Sequence, residues 1–376
     1  MRVERSTVAR WEQGTAAPRP WFRRRLGEVL QVDADGLSDL LDDEPPPVGR
    51  HQADNRSDAD WDSGRARRAD RTQPLADAEY VESVRTDSRR LVELDTNYGG
   101  DDLARVASRA FKTAFERLAS GLYVASVERD LQAAVGELAQ VGAWIAYDAD
   151  KQALSRQLAN EALAASRGAG DRRMELFELG QLAMQSVHLG RAGEALRVAD
   201  EVLDADPPSP RVAAVFRLRR ARALALTGDR ARALDEHDHV DALLAEGVTS
   251  RDPEWTWWVD TSELAWQRAM SLASLGDGPD AVDHFRLAWE LRPLQARRAR
   301  FNDLAHLLDA QVQVGAWDDA ESSLATIVAS AEDVGSARTT NLLRQTVRQI
   351  ERRCDETTST LGDLVAELAH ALSESD

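Results

Sequence analysis

Residues 262–295, SELAWQRAMSLASLGDGPDAVDHFRLAWELRPLQ, decide how this chain folds. Apolar residues recur at helical spacing on both sides of Gly276, so the segment reads as two amphipathic helices joined by a short turn. Alanines stand where two helices must approach closely: Ala269 in the first, Ala281 and Ala288 in the second, with Phe285 between them. Pro293 closes the second helix, because proline has no N–H to continue the ladder. The same phase recurs along the chain. Gly190, Gly228, Gly276 and Gly315 each fall at a helix end, and Ala195, Ala233, Ala281 and Ala320 each stand five residues further on. A second copy at 176–209 keeps Ala183, Ala195 and Pro207, and a more degenerate one spans 136–168. Helices at 85–130 and 338–353 are expected to cap the ends. The expected fold class is therefore all-α, a solenoid of four to six helical hairpins.

This helix–turn–helix unit resembles the tetratricopeptide (TPR) repeat, whose period is about 34 residues. The resemblance implies that the first helix of each pair lines a concave surface. Phasing on the repeats places Gln140, Trp144 and Asp148 there, then Phe177, Met184 and His188, then Arg222, then Glu263, Trp266 and Met270, and last Asn302, Asp309 and Gln313. Asn, Gln and Arg suit gripping a peptide backbone, and Trp and Met offer adaptable apolar pockets. Any single Trp or Met at this spacing serves equally as core, so only the set suggests a groove for a peptide or protein ligand.

The 376 residues are 43% hydrophobic and carry a formal net charge of −18, which speaks against the whole chain as a nucleic-acid binder. The distribution of charge differs at the start. Arg2, Arg5, Arg10, Arg19 and Arg23 to Arg25 outweigh Glu4, Glu12 and Glu28, so a basic head precedes an acidic body. The single Cys354 leaves no intramolecular disulfide and no cysteine-cluster metal site. No apolar run approaches a membrane span and no leader pattern is present, so a cytoplasmic protein is expected. Only Lys112 and Lys151 among the basic residues are lysines, a bias of high-GC bacterial genomes.

Within the head, Ser6-Thr7-Val8-Ala9-Arg10-Trp11-Glu12, followed by Gly14 and Pro18, resembles the recognition helix of lambda-repressor-like (XRE-type) DNA-binding domains. In that family two helices come before this segment, so 1–44 reads as a partial helix-turn-helix domain with its first two helices missing. The resemblance implies that Arg5, Ser6, Thr7 and Arg10 face the major groove and that Arg19 meets a phosphate. Residues 45–79, which open on three prolines and hold almost nothing apolar, are expected to be a disordered linker. The helical repeats then occupy 80–355, and 356–376 forms a C-terminal capping or dimerisation helix. Head and body together resemble actinobacterial XRE-type regulators with a TPR-like sensor body, similar in architecture to the peptide-sensing quorum regulators of the RRNPP group. The distinctive pieces are Glu128 to Ala134, Ala143 to Asp150, Asp252 to Asp260, Leu304 to Leu308 and Val334 to Thr339. What the resemblance implies is a homodimeric DNA-binding transcriptional regulator that senses a peptide or protein. A DNA-independent TPR adaptor is the alternative.

Trp255, Trp257 and Trp258 crowd the longest inter-repeat segment, either as a partner surface or as a plug between hairpins. Nothing points to catalysis. His237 and His239 diverge on a helix instead of converging on a metal, and no glycine cluster forms a phosphate loop. No enzyme activity, cofactor or metal is expected. The tail carries Leu361, Leu364, Val365, Leu368 and Leu372 on one helical face.

Overall fold

The repeat phase seen in the sequence is set in space by one local device. In a computed structural model, residues 74–204, 208–330, 335–353 and 359–373 are described. The head, most of the linker, and with them Arg5, Ser6, Thr7, Arg10 and Arg19, lie outside the described residues. Fourteen α-helices are present among them. They run α1 (Ala78–Tyr98), α2 (Leu103–Ala119), α3 (Glu128–Asp148), α4 (Gln152–Ala169), α5 (Arg172–His188), α6 (Ala192–Asp204) and α7 (Pro210–Leu226). Then follow α8 (Arg230–Ala245), α9 (Thr261–Ser274), α10 (Gly278–Leu291), α11 (Arg297–Val314), α12 (Trp317–Val328), α13 (Ala337–Arg352) and α14 (Ser359–Ser373).

Gly190, Gly228, Gly276 and Gly315 all take positive φ, between 70 and 84°. Each lets the next residue's N–H turn back to a carbonyl five residues earlier: Arg191 to Ser186, Asp229 to Leu224, Asp277 to Leu272 and Ala316 to Gln311, at 2.7–3.0 Å. The chain therefore reverses after α5, α7, α9 and α11 with the same geometry. At the α3–α4 junction Asp150 takes this role with φ 55°, a conformation that Asp tolerates better than most non-glycine residues. Starts are fixed by side-chain caps, Asp77, Asp171, Asp229, Asp260 and Ser336 each accepting N–H groups of the first turn.

With the turns fixed, the second helices present their alanines inward. Ala195, Ala233, Ala281 and Ala320 are all 0% exposed, so each marks a closest approach within its hairpin. The core divides by position along the stack. One cluster spans α1–α4 around Leu131, Leu138 and Leu158; another spans α9–α14 around Phe285, Leu308 and Ile327. Leu361, Val365, Leu368 and Leu372 of α14 are buried in that second core, against α12. The 338–353 segment is thus the first helix of another pair, α13–α14, and not a terminal cap. The body also starts earlier than residue 80. Ala76 is buried and bridges Tyr123, and Asp77 caps α1, because this apolar and cap pair anchors the first hairpin.

The stack closes on itself. Helices α1 and α3 meet α11 and α13, at opposite ends of the repeat array. Asp101 donates its N–H to the Gly335 carbonyl at 3.4 Å, and its carboxylate accepts from the Ala337 N–H at 2.6 Å. Asn341 donates to Asp150 at 2.8 Å. The backbones approach so closely that a Cβ on Gly99 would lie 1.9 Å from the Gly335 oxygen. No helix among the described residues is long and apolar enough to cross a membrane.

Candidate functional site

Because first helices turn the same face inward, residues three or four apart on each meet across the closed stack. Helix α3 supplies Trp144, Tyr147 and Asp148; α5 supplies Met184 and His188; α7 supplies Arg219 and Arg222. Helix α9 adds Glu263, Trp266 and Gln267, α11 adds Arg298 and His306, and α13 adds Arg338.

Two regions can be distinguished on this inner wall. The first is a clasp across the closure. Asp148, 0% exposed, accepts from Ser336 Oγ at 3.0 Å and pairs with Arg338 at 3.3 Å and Arg298 at 3.4 Å. Asp95 accepts from Trp144 Nε1 at 3.0 Å and faces Arg298 at 3.5 Å. Burial raises the Asp95 carboxyl above its ordinary range, and Arg298 pulls it back. The guanidiniums lie on aromatic faces, Arg298 on Trp144 at 4.9 Å and Arg338 on Tyr147 at 5.1 Å. These stacks hold the cations in place as well as the carboxylates do.

The second region is a cationic pole without a matching anion. Arg222 is only 8% exposed, yet its best acceptor is Gln267 Oε1 at 3.5 Å, the outer limit of a hydrogen bond. Its guanidinium lies 5.8 Å from the Trp266 ring, and its Nε has no partner among the described residues. Burial pushes its pKa down to about 10, and Arg219 beside it acts in the same direction. Glu263, the nearest carboxylate on α9, is engaged elsewhere. It accepts from Gln267 at 2.8 Å and faces Arg292 at 3.7 Å.

Imidazole rings connect the two regions. Tyr147 meets His188 edge-on at 5.2 Å, and Trp266 meets His306 edge-on at 5.6 Å. Burial drives the His306 pKa to about 3, with Arg338, Arg222 and His188 adding repulsion. His188 is lowered by burial and by Arg338, yet keeps an exposed edge, so solvent reaches this wall. Both rings are neutral at pH 7, and the wall's field is positive around them. A cavity of about 10 Å³, near the least that holds one water, lies between α3, α4 and α5, lined by Trp144, Tyr147, Gln181 and Met184 among others.

The residues expected on the concave surface divide accordingly. Trp144, Asp148, Met184, His188, Arg222, Glu263 and Trp266 share the inner wall. Asn302 sits between α11 and α13, where it accepts from Thr339 at 3.3 Å. Asp309 is tied to Thr346 at 2.9 Å and to Gln313 at 2.6 Å, while Met270 packs against the C-terminal core. Phe177 is covered by Trp255 at 4.9 Å, and Gln140 is half-buried on α3. Tyr147, Arg219, Gln267, Arg298, His306 and Arg338 belong to the wall although repeat phasing does not single them out. The tryptophan cluster splits. Trp255 donates to the Arg173 carbonyl at 3.1 Å and Trp258 lies beneath Arg219, so both fill gaps between hairpins, whereas Trp257 is 82% exposed.

Among the described residues no three His, Cys, Asp or Glu side chains come together as metal ligands. No family model matches the chain, and no curated protein matches it. Among solved structures, the crystal structure of a Rap protein complexed with competence and sporulation factor is 12% identical, with a TM-score of 0.45, over 79% of this chain and 96% of that one.

Proposed function

We propose that this chain is a transcriptional regulator whose helical body senses a peptide or protein ligand on its inner wall, and whose basic head at 1–44 contacts DNA as part of a homodimer. One observation carries the reading. The clasp that closes the solenoid, Asp148 with Arg298 and Arg338, is built on the same inner wall as the aromatic and cationic side chains suited to a ligand. A ligand that engages Arg338 or Arg298 competes with Asp148, so occupancy and closure are linked. Differential affinity for the closed and open forms is what such a sensor needs to change the spacing of two heads.

The test is binding of the full chain to DNA from upstream of its own gene, measured across a salt series. The expected result is affinity falling linearly on a log–log plot with salt, by a slope reduced in Arg5→Ala/Arg10→Ala. Trp257, exposed in the loop between α8 and α9, favours a second reading, the DNA-independent adaptor. A protein partner lost in Trp257→Ala, together with no DNA retention at low salt, establishes that reading in place of the first.

A further inference from the structure

The inner wall around Arg222 holds N–H donors with nothing to bond, and their chemistry identifies what they take. Arg222 Nε and Trp266 Nε1 are each buried without a hydrogen-bond partner among the described residues. Arg222 lies against Trp266, and Trp266 lies against His306. Arg338 lies instead on Tyr147 and pairs with Asp148 at the clasp. A buried donor left unmade costs about 1–3 kcal/mol, more when charged, so two in one place call for an acceptor from outside the chain. The orphaned acceptors Asp95 Oδ1 and Asp148 Oδ2 sit at the clasp, beside Arg298 and Arg338.

We propose that Arg222 and Trp266 form a binding site for a carboxylate, presented either by the free C-terminus of a short peptide or by a small carboxylic acid. This rests on the reading of the inner wall as a ligand site. A monoanion matches the charge, because Arg222 is the cation without a carboxylate while Arg338 already shares Asp148. A phosphate dianion leaves half its charge unmatched. The Trp266 ring, with His306 edge-on to it, suits an organic group attached to the anion. Arg is the side chain whose planar fork fits a carboxylate with two parallel hydrogen bonds.

The experiment is equilibrium dialysis of the full chain against four probes, with mass-spectrometric readout. They are a random pentapeptide pool with free C-termini, the same pool C-amidated, a set of two- to six-carbon mono- and dicarboxylic acids, and inorganic phosphate. Retention of free-acid peptides at least about tenfold above amidated ones, or retention of carboxylic acids, is expected. Either is lost in Arg222→Gln. Trp266→Phe, which keeps the ring and removes the N–H, weakens it several-fold and serves if Arg222→Gln does not fold. Equal retention of amidated and free peptides overturns the carboxylate site but keeps the peptide sensor. Retention of carboxylic acids without peptides keeps the site and overturns the peptide sensor. Phosphate alone, or retention undiminished in both variants, overturns the site, and no retention of any probe overturns both.

Discussion

Replacing Arg222 by methionine should make the unliganded protein more stable. The guanidinium is 8% exposed and its pKa falls to about 10, between two and three units below the ordinary guanidinium value, chiefly through burial. Each unit is worth about 1.4 kcal/mol, so holding this charge in the wall costs on the order of 3 kcal/mol. The sign follows from linkage: the unfolded chain binds the proton more tightly, so the cost is fully present at every pH below about 10, physiological pH included. Methionine keeps most of the apolar stem and removes the charge. It also gives up the contact with Trp266, worth roughly 1 kcal/mol. The net gain is about 2 kcal/mol, or a rise in Tm of roughly 2–5 °C for a body of this size. Thermal unfolding by circular dichroism without added anions measures it. A Tm equal to or below that of the wild type refutes the argument, because it means that the guanidinium is already compensated.

Three further outcomes follow from the closure and from buried histidine. Gly99→Ala forces a Cβ into the Gly335 carbonyl and strains a left-handed φ of 85°, so it should destabilise by about 2 kcal/mol or more and enlarge the radius of gyration in solution scattering. Asp148→Asn leaves Arg298 and Arg338 without their shared charge; a loss of roughly 2–4 kcal/mol in urea unfolding is expected, and an unchanged midpoint contradicts the clasp. His237, fully buried beside Ser271, has its pKa pushed to about 3 by burial and by Arg268 and Arg222. A histidine depressed in the folded state loses stability as pH falls from its unfolded value of about 6.5, so wild type should lose about 2 kcal/mol between pH 7 and 5 that His237→Gln does not. Asp303, raised to about 6, acts in the opposite direction in both proteins and cancels from the comparison.

The repeats were legible because two residue types carry the geometry. A glycine is needed where φ turns positive, and an alanine where helices touch, so Gly276 and Ala281 reveal their hairpin without any contact information. The α3–α4 turn is harder to read, since Asp150 stands where a glycine would announce it. On the wall, phasing placed Trp144, His188, Arg222 and Trp266 on one face because helical periodicity fixes which side of a first helix looks inward. Met270 and Asp309 lie on the margin of that face, and there neighbouring helices claim them, while Gln313 is exposed and bonds back to Asp309 on its own helix. The clasp leaves no local trace. Ser336 and Arg338 meet Asp148 from 188 and 190 residues away, and only the accumulated rotation of the intervening hairpins brings them there.

That closure also makes the array count its own units. An open solenoid gains or loses a hairpin with little consequence for the others, since each unit answers only to its neighbours. Here the removal of α7 and α8, or the insertion of one more pair, would shift Asp148 out of register with Arg298 and Arg338 and part Gly99 from Gly335. The number of hairpins between α3 and α13 is therefore as fixed as any residue in the clasp, and unfolding at one end must be felt at the other.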